Sequence, residues 1–143
     1  VPTAVITNSA QRLRARGCSL EVLFMIRALL VDDDVGPLEA IRVVFEAHGF
    51  QVTVTNNGKN GLNEALQSLP DIVLTDWEMP QLDGVSLCRA LRGNSRFSGV
   101  SLVLISGKSP PPDGHLMGCF FKKPVDIPAL EEVLLRLKRR RTD

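Results

Sequence analysis

The chain has 143 residues, 44% of them hydrophobic and 23% charged, with a formal net charge of +1. That length holds one domain with a full hydrophobic core, and the near-neutral charge excludes a global drive toward nucleic acid or an anionic membrane. No apolar run approaches the roughly 18–20 residues of a spanning helix, and Cys18, Cys88 and Cys119 are odd in number, widely spaced and without a Cys-x-x-Cys pair, so a soluble cytoplasmic domain with reduced thiols is expected.

Residues 1–24 differ from the rest. Val1 to Leu20 carries Arg12, Arg14 and Arg16, no acidic residue, and no persistent periodicity. It lacks the apolar stretch of a secretory signal. Leu20-Glu21-Val22-Leu23-Phe24 resembles the first part of a protease site used in expression tags, and Met25 suits a natural start. The expectation is an N-terminal extension over 1–24, flexible or non-native, followed by one domain over 25–143.

From Ile26 onward the sequence alternates strand and helix, which predicts a parallel sheet covered on both faces. Ala28–Val31 is a continuous apolar run, as a strand buried on both sides requires. Gly36 and Pro37 open a helix with Leu38, Ile41, Val44 and Phe45 on one stripe, and Gly49 closes it. Phe50, Val52 and Val54 alternate with polar residues, which suits an edge strand. The second helix carries Leu62, Ala65, Leu66 and Leu69 inward, and Pro70 stops it. Ile72–Leu74 is a second fully apolar strand. A helix with Leu87, Cys88 and Leu91 inward ends near Gly93, and Leu102–Ile105 is the fourth strand. Pro110-Pro111-Pro112 forbids regular helix. A short strand around Cys119–Phe121 precedes a last helix with Asp126 as N-cap and Ile127, Leu130, Val133, Leu134 and Leu137 inward.

Four of these strands end in residues that phosphoryl chemistry uses: Asp32-Asp33-Asp34, then Asp76, then Ser106, then Lys123. Ligands of open parallel sheets bind outside the carboxyl ends of the strands. Carboxylates, a hydroxyl and an ammonium would converge there, and such a set suggests a divalent cation plus a phosphoryl group.

In this order, Asp32-Asp33, Asp76, Ser106 and Lys123-Pro124 resemble a response-regulator receiver domain from about Ile26 to Leu137. The most specific stretch is Asp71-Ile-Val-Leu-Thr-Asp76-Trp-Glu-Met-Pro-Gln-Leu-Asp-Gly84. The resemblance implies a flavodoxin-like α/β fold with a five-stranded parallel sheet in the order 2-1-3-4-5. It implies Asp76 as phosphoacceptor and Mg²⁺ as cofactor, with Mn²⁺ as substitute. The cation would be held by Asp33, Asp76 and the Glu78 backbone carbonyl, with Asp32 acting through a coordinated water. Lys123, Ser106 and the backbone amides of Trp77 and Gly107 would stabilise the phosphoryl oxygens. A glycine at 107 would keep a side chain from crowding the incoming group. Ser106 and Phe120 would switch position on phosphorylation. The implied partner is a sensor histidine kinase or a histidine phosphotransfer protein, with no direct role for nucleic acid or membrane. The output partner stays unnamed.

Lys123 follows Ser106 by 17 positions (123 − 106), fewer than is usual in the family. With Pro110–Pro112, this predicts a fourth helix that is shortened or absent, and hence no symmetric dimer through that face. Glu78 and Lys108 flank the implied site at a spacing that allows an ion pair. Asp34 and Lys122 read as solvated, and His48 and His115 have no partner at ligand spacing. The basic run Arg136-Leu-Lys-Arg-Arg-Arg141 complements a helix C-terminus.

Two other functions compete. A haloacid-dehalogenase-like phosphohydrolase also uses an aspartyl phosphate, Mg²⁺ and a lysine, but its nucleophile usually ends the first strand. There it is followed two residues later by an aspartate, whereas Glu78 stands two after Asp76. A constitutive interaction module on the same fold would not need all the chemistry residues. Gly107-Lys108-Ser109 mimics the end of a P-loop, but Leu102 stands where that motif needs glycine.

Overall fold

A computed structural model describes residues 25–108 and 118–142. The expected N-terminal extension, the shortened fourth helix with its consequence for dimerisation, Cys18 and His115 all fall outside the described residues.

Five strands form one parallel sheet: β1 (Arg27–Val31), β2 (Gln51–Thr55), β3 (Ile72–Asp76), β4 (Ser101–Ser106) and β5 (Cys119–Lys122). Their spatial order is β2-β1-β3-β4-β5, as expected. Four α-helices cover it among the described residues: α1 (Val35–Ala47), α2 (Gly58–Ser68), α3 (Gly84–Arg92) and α4 (Ile127–Thr142). A 3₁₀ turn over Ser95–Phe97 links α3 to β4.

Side chains alternate across a strand, and both faces of this sheet are buried. Ala28, Leu30, Ile72, Leu74, Val103 and Ile105 point to one face and pack with Leu38, Ile41 and Phe45 of α1 and Leu130, Leu134 and Leu137 of α4. Leu29, Val31, Val73, Leu102 and Leu104 point to the other and pack with Ala65 of α2 and Val85, Leu87, Cys88 and Leu91 of α3. The continuous apolar runs of β1, β3 and β4 thus serve two cores at once. β2 is an edge strand and only partly buried, in line with its alternating sequence. On the first face a T-shaped contact of Phe45 and Phe50, with centroids 5.4 Å apart, fastens the end of α1 to the start of β2.

Two helices differ from expectation. α1 begins at Val35, one residue before the predicted opening at Gly36-Pro37. Asp34, exposed as expected, is its N-cap, and its Oδ1 accepts from the Gly36 amide at 3.4 Å. Pro37 sits in the first turn, where an N–H would lack an intrahelical acceptor anyway.

In α2, Leu66 and Leu69 were expected inside but are 36% and 45% exposed. The buried face is Gly58, Gly61 and Ala65, with Leu62 half-buried. The glycines explain the rotation. A Cβ on Gly58 would strike the Leu82 carbonyl, and one on Gly61 would crowd Val31. The helix therefore approaches the sheet on its glycine side and turns its leucines outward. Leu69 ends the helix in a left-handed conformation (φ 49°), directly before Pro70.

Gly84 matters most for the site. It opens α3, donates its N–H to the Trp77 carbonyl at 2.8 Å, and leaves no room for a Cβ against the Asp76 carbonyl. The N-cap Asp83 accepts from Ser86 N at 2.7 Å. α3 is thereby pressed directly onto the end of β3. Gly84→Ala is expected to destabilise the domain by about 2–4 kcal/mol in urea unfolding, because backbone rather than a flexible side chain must yield. Unchanged stability would show that the contact is loose.

Candidate functional site

At the carboxyl ends of β1 and β3, ligand oxygens of Asp32, Asp33 and Asp76 lie within 4.8 Å of one another. The register explains the convergence: Val31 pairs with Thr75 and Asp76 with Ile105, so neighbouring strands end level. Asp32 is 1% and Asp76 6% exposed, whereas Asp33 is exposed. From β5, Lys123 Nζ comes to 3.3 Å of Asp76 Oδ1. The Lys123 amide donates to the Ser106 carbonyl at 2.8 Å, and the Lys123–Pro124 peptide is cis.

Burial, above all, pushes Asp32 up to about 6 from its ordinary 3.8, and the neighbouring charge of Asp76 adds to this. Burial also raises Asp76, against the opposing pull of the Lys123 ammonium. Both carboxylates are held in a place that disfavours their charge. Asp32 Oδ1 accepts from the Asp34 amide at 2.9 Å, but its buried Oδ2 has no partner. An unpartnered buried oxygen, two clustered carboxylates beside it and an all-oxygen donor set fit a hard divalent cation.

Because the folded pKa of Asp32 is raised, its contribution to stability is complete below about pH 4 and is lost as pH rises through about 6. In chelator, the unfolding free energy is expected to fall across that window. Asp32→Asn should flatten the fall and stabilise the metal-free protein at pH 7 by about 1–3 kcal/mol, roughly two pKa units less some screening by water in the cleft. Urea titrations at several pH values would test it; an asparagine variant less stable than wild type at pH 7 would refute it.

Ser106, fully buried, ends β4. Its Oγ accepts from the Lys108 amide at 3.0 Å and donates to Glu78 Oε1 at 3.4 Å. Glu78 Oε2 stands 3.9 Å from Lys108 Nζ, so the expected ion pair is present. The Trp77 amide, expected to be available for a phosphoryl group, donates to the Ile105 carbonyl at 2.9 Å while also lowering the Asp76 pKa. This donor serves strand pairing at the end of β3 and also acts on the Asp76 carboxylate. A Cβ on Gly107 would meet no atom within 4 Å among the described residues. Phe120 is half-buried against the α2/α3 core.

A cavity of about 520 Å³ opens beside Trp77, Glu78, Met79, Pro80, Asp83 and Lys108. A second of similar size, mainly apolar, lies between α1 and the start of α4 beside Lys123. His48, which has no partner at ligand spacing along the chain, is the C-cap of α1 and pairs its Nε2 with Glu131 Oε2 at 2.7 Å. The two are 83 positions apart, beyond the reach of any local pattern.

The profile of the response regulator receiver domain family matches residues 28–134. The chain belongs to this family. The receiver domain is 34% identical over 117 residues to protein PilH of Pseudomonas aeruginosa, covering 78% of this chain and 93% of that protein. It spans 37% of several longer curated relatives that it matches over 87 residues. Among solved structures, a response regulator receiver domain from Methylobacillus flagellatus is 26% identical with a TM-score of 0.73, over 79% of this chain and 98% of that one. The fold is also shared with the receiver domain of a sensor histidine kinase of P. aeruginosa, described with a magnesium ion coordinated in its active-site cleft. That match is 24% identical with a TM-score of 0.70, over 79% of this chain and 97% of that one. Receiver domains are signalling modules of two-component systems, and no helix among the described residues of this one is long and apolar enough to cross a membrane.

Proposed function

We propose that Asp76 accepts a phosphoryl group from a phosphohistidine on a sensor kinase or phosphotransfer protein, and that the domain then shifts conformation to control a partner. The observation that carries the reading is the 4.8 Å cluster of Asp32, Asp33 and Asp76 with the Lys123 ammonium 3.3 Å from Asp76. An Asp76 oxygen attacks phosphorus, the phosphorus–nitrogen bond breaks, and the imidazole nitrogen leaves with the electron pair. Lys123 opposes the rise that burial gives Asp76 and would stabilise the charge that develops on the equatorial oxygens.

Asp33, Asp76 and the Glu78 carbonyl would hold Mg²⁺ or Mn²⁺, with Asp32 acting through a water. Bound there, the cation offsets the carboxylates' repulsion and neutralises charge on the phosphoryl group. The orphaned Asp32 oxygen supports this assignment. Among the described residues nothing stands within 4 Å of a Cβ at Gly107, which supports room for the arriving group at the end of β4. The phosphohydrolase reading is weaker, because Asp76 stands on β3 and Glu78 replaces the second aspartate.

The test is the intact mass of the protein after incubation with a small phosphodonor, such as acetyl phosphate, with Mg²⁺ or with chelator. One phosphoryl group gained only with the cation is expected, together with no turnover of an aryl phosphate. No mass gain, or sustained aryl phosphate turnover, would overturn the proposal.

A further inference from the structure

We infer that the Glu78 side chain is a positioning residue that latches Ser106 in its resting state, by competing with the phosphoryl group for the one hydroxyl proton Ser106 can donate. This rests on the phosphoacceptor reading of Asp76 and concerns how that site is regulated.

A serine hydroxyl has one hydrogen to give and two lone pairs to offer. In Ser106 both kinds of capacity are engaged locally: the oxygen accepts from the Lys108 amide at 3.0 Å, and the hydrogen goes to Glu78 Oε1 at 3.4 Å. Ser106 is fully buried, so water cannot supply a substitute acceptor freely. Glu78 is aimed by its second oxygen, which stands 3.9 Å from Lys108 Nζ. The same residue, Lys108, therefore touches both ends of the arrangement, its amide on the serine and its ammonium on the glutamate. The Glu78 and Lys108 side chains are 52% and 70% exposed. Their ion pair is accordingly weak and can open without disturbing the core.

Ser106 can help stabilise a phosphoryl oxygen only after its proton leaves Glu78. A phosphoryl group on Asp76 brings a stronger acceptor and a negative charge that repels the Glu78 carboxylate. The exchange is one hydrogen bond for another: Ser106 turns to the phosphoryl oxygen, and Glu78 swings out with Lys108. The resting bond thus opposes the switched state by the worth of one hydrogen bond to a charged acceptor. A latch of that strength holds the equilibrium back by about tenfold. The design places an acidic acceptor two residues after the phosphoacceptor, so one short loop carries both the reacting carboxylate and its restraint.

The experiment measures binding of beryllium trifluoride, a phosphoryl mimic, with Mg²⁺ present. Fluorescence of Trp77, the sole tryptophan of the chain, reports from beside Asp76. Glu78→Met removes the acceptor and should tighten mimic binding about tenfold. Glu78→Gln keeps an acceptor oxygen and loses the charge, and should tighten it by less. In a Ser106→Ala background, Glu78→Met should change mimic affinity by less than about twofold, because no proton remains to compete for. Equal tightening by Gln and Met, or the same gain with Ser106 absent, would mean that Glu78 acts by charge alone and would overturn the latch. If wild-type protein fails to bind the mimic with Mg²⁺ at all, the phosphoacceptor reading itself falls, and the latch with it.

Discussion

Asp76→Asn is expected to abolish phosphorylation: where the wild-type chain gains one phosphoryl group from acetyl phosphate and Mg²⁺, the variant should gain none. The amide oxygen is too weak a nucleophile to attack phosphorus, and among the described residues no other carboxylate forms an ion pair with Lys123. Among the described residues, the ammonium lies against Asp76 Oδ1 at 3.3 Å, and the other members of the cluster, Asp32 and Asp33, end β1 instead. The variant should nevertheless fold. Asp76 is buried and its charge raises the Asp32 pKa, so removing that charge relieves repulsion, and metal-free protein should be at least as stable at pH 7 as wild type. Loss of the mass gain with retained stability separates lost chemistry from lost structure. A phosphoryl group still appearing on the asparagine variant would move the acceptor elsewhere.

Lys123→Ala should slow phosphorylation by about 100- to 1,000-fold, the usual cost of removing one charge stabiliser from a transition state. It acts twice. The ammonium opposes the burial that raises Asp76, so without it the Asp76 pKa climbs further, and the acid limb of the pH–rate profile moves to higher pH. It also loses the cation that faces the phosphoryl oxygens, which lowers the rate at every pH. Lys123→Arg keeps the charge but spreads it over a planar fork on a different reach, and should recover part of the rate. Quenched time courses read by intact mass at several pH values would separate the two effects. A profile unchanged in both height and position would remove Lys123 from the chemistry.

Much of this was legible in the chain because burial in a doubly covered sheet leaves a direct mark. Residues 28–31, 72–74 and 102–105 are continuous apolar runs, since each strand feeds two cores. The residues that end those runs had to emerge at one edge, and so Asp32, Asp76 and Ser106 could be placed before any geometry was known. α2 was misread at Leu66 and Leu69 because periodicity rewards large apolar residues, whereas that helix is seated by close approach at Gly58 and Gly61. The Trp77 amide could be placed beside Asp76 by position, whereas its bond to the Ile105 carbonyl follows from the β3–β4 pairing.

Local composition determined which segments become strands and helices, where they stop, and which side chains must stand at the sheet's carboxyl edge, because hydrophobic period and turn chemistry are properties of neighbours along the chain. Tertiary structure alone decided the contacts between distant segments: the 3.3 Å approach of Lys123 to Asp76, the hold of Glu78 on Ser106, and the His48–Glu131 pair. Those distances, and the burial that lifts Asp32 to about 6, depend on how segments far apart along the chain are brought together, which no local pattern encodes.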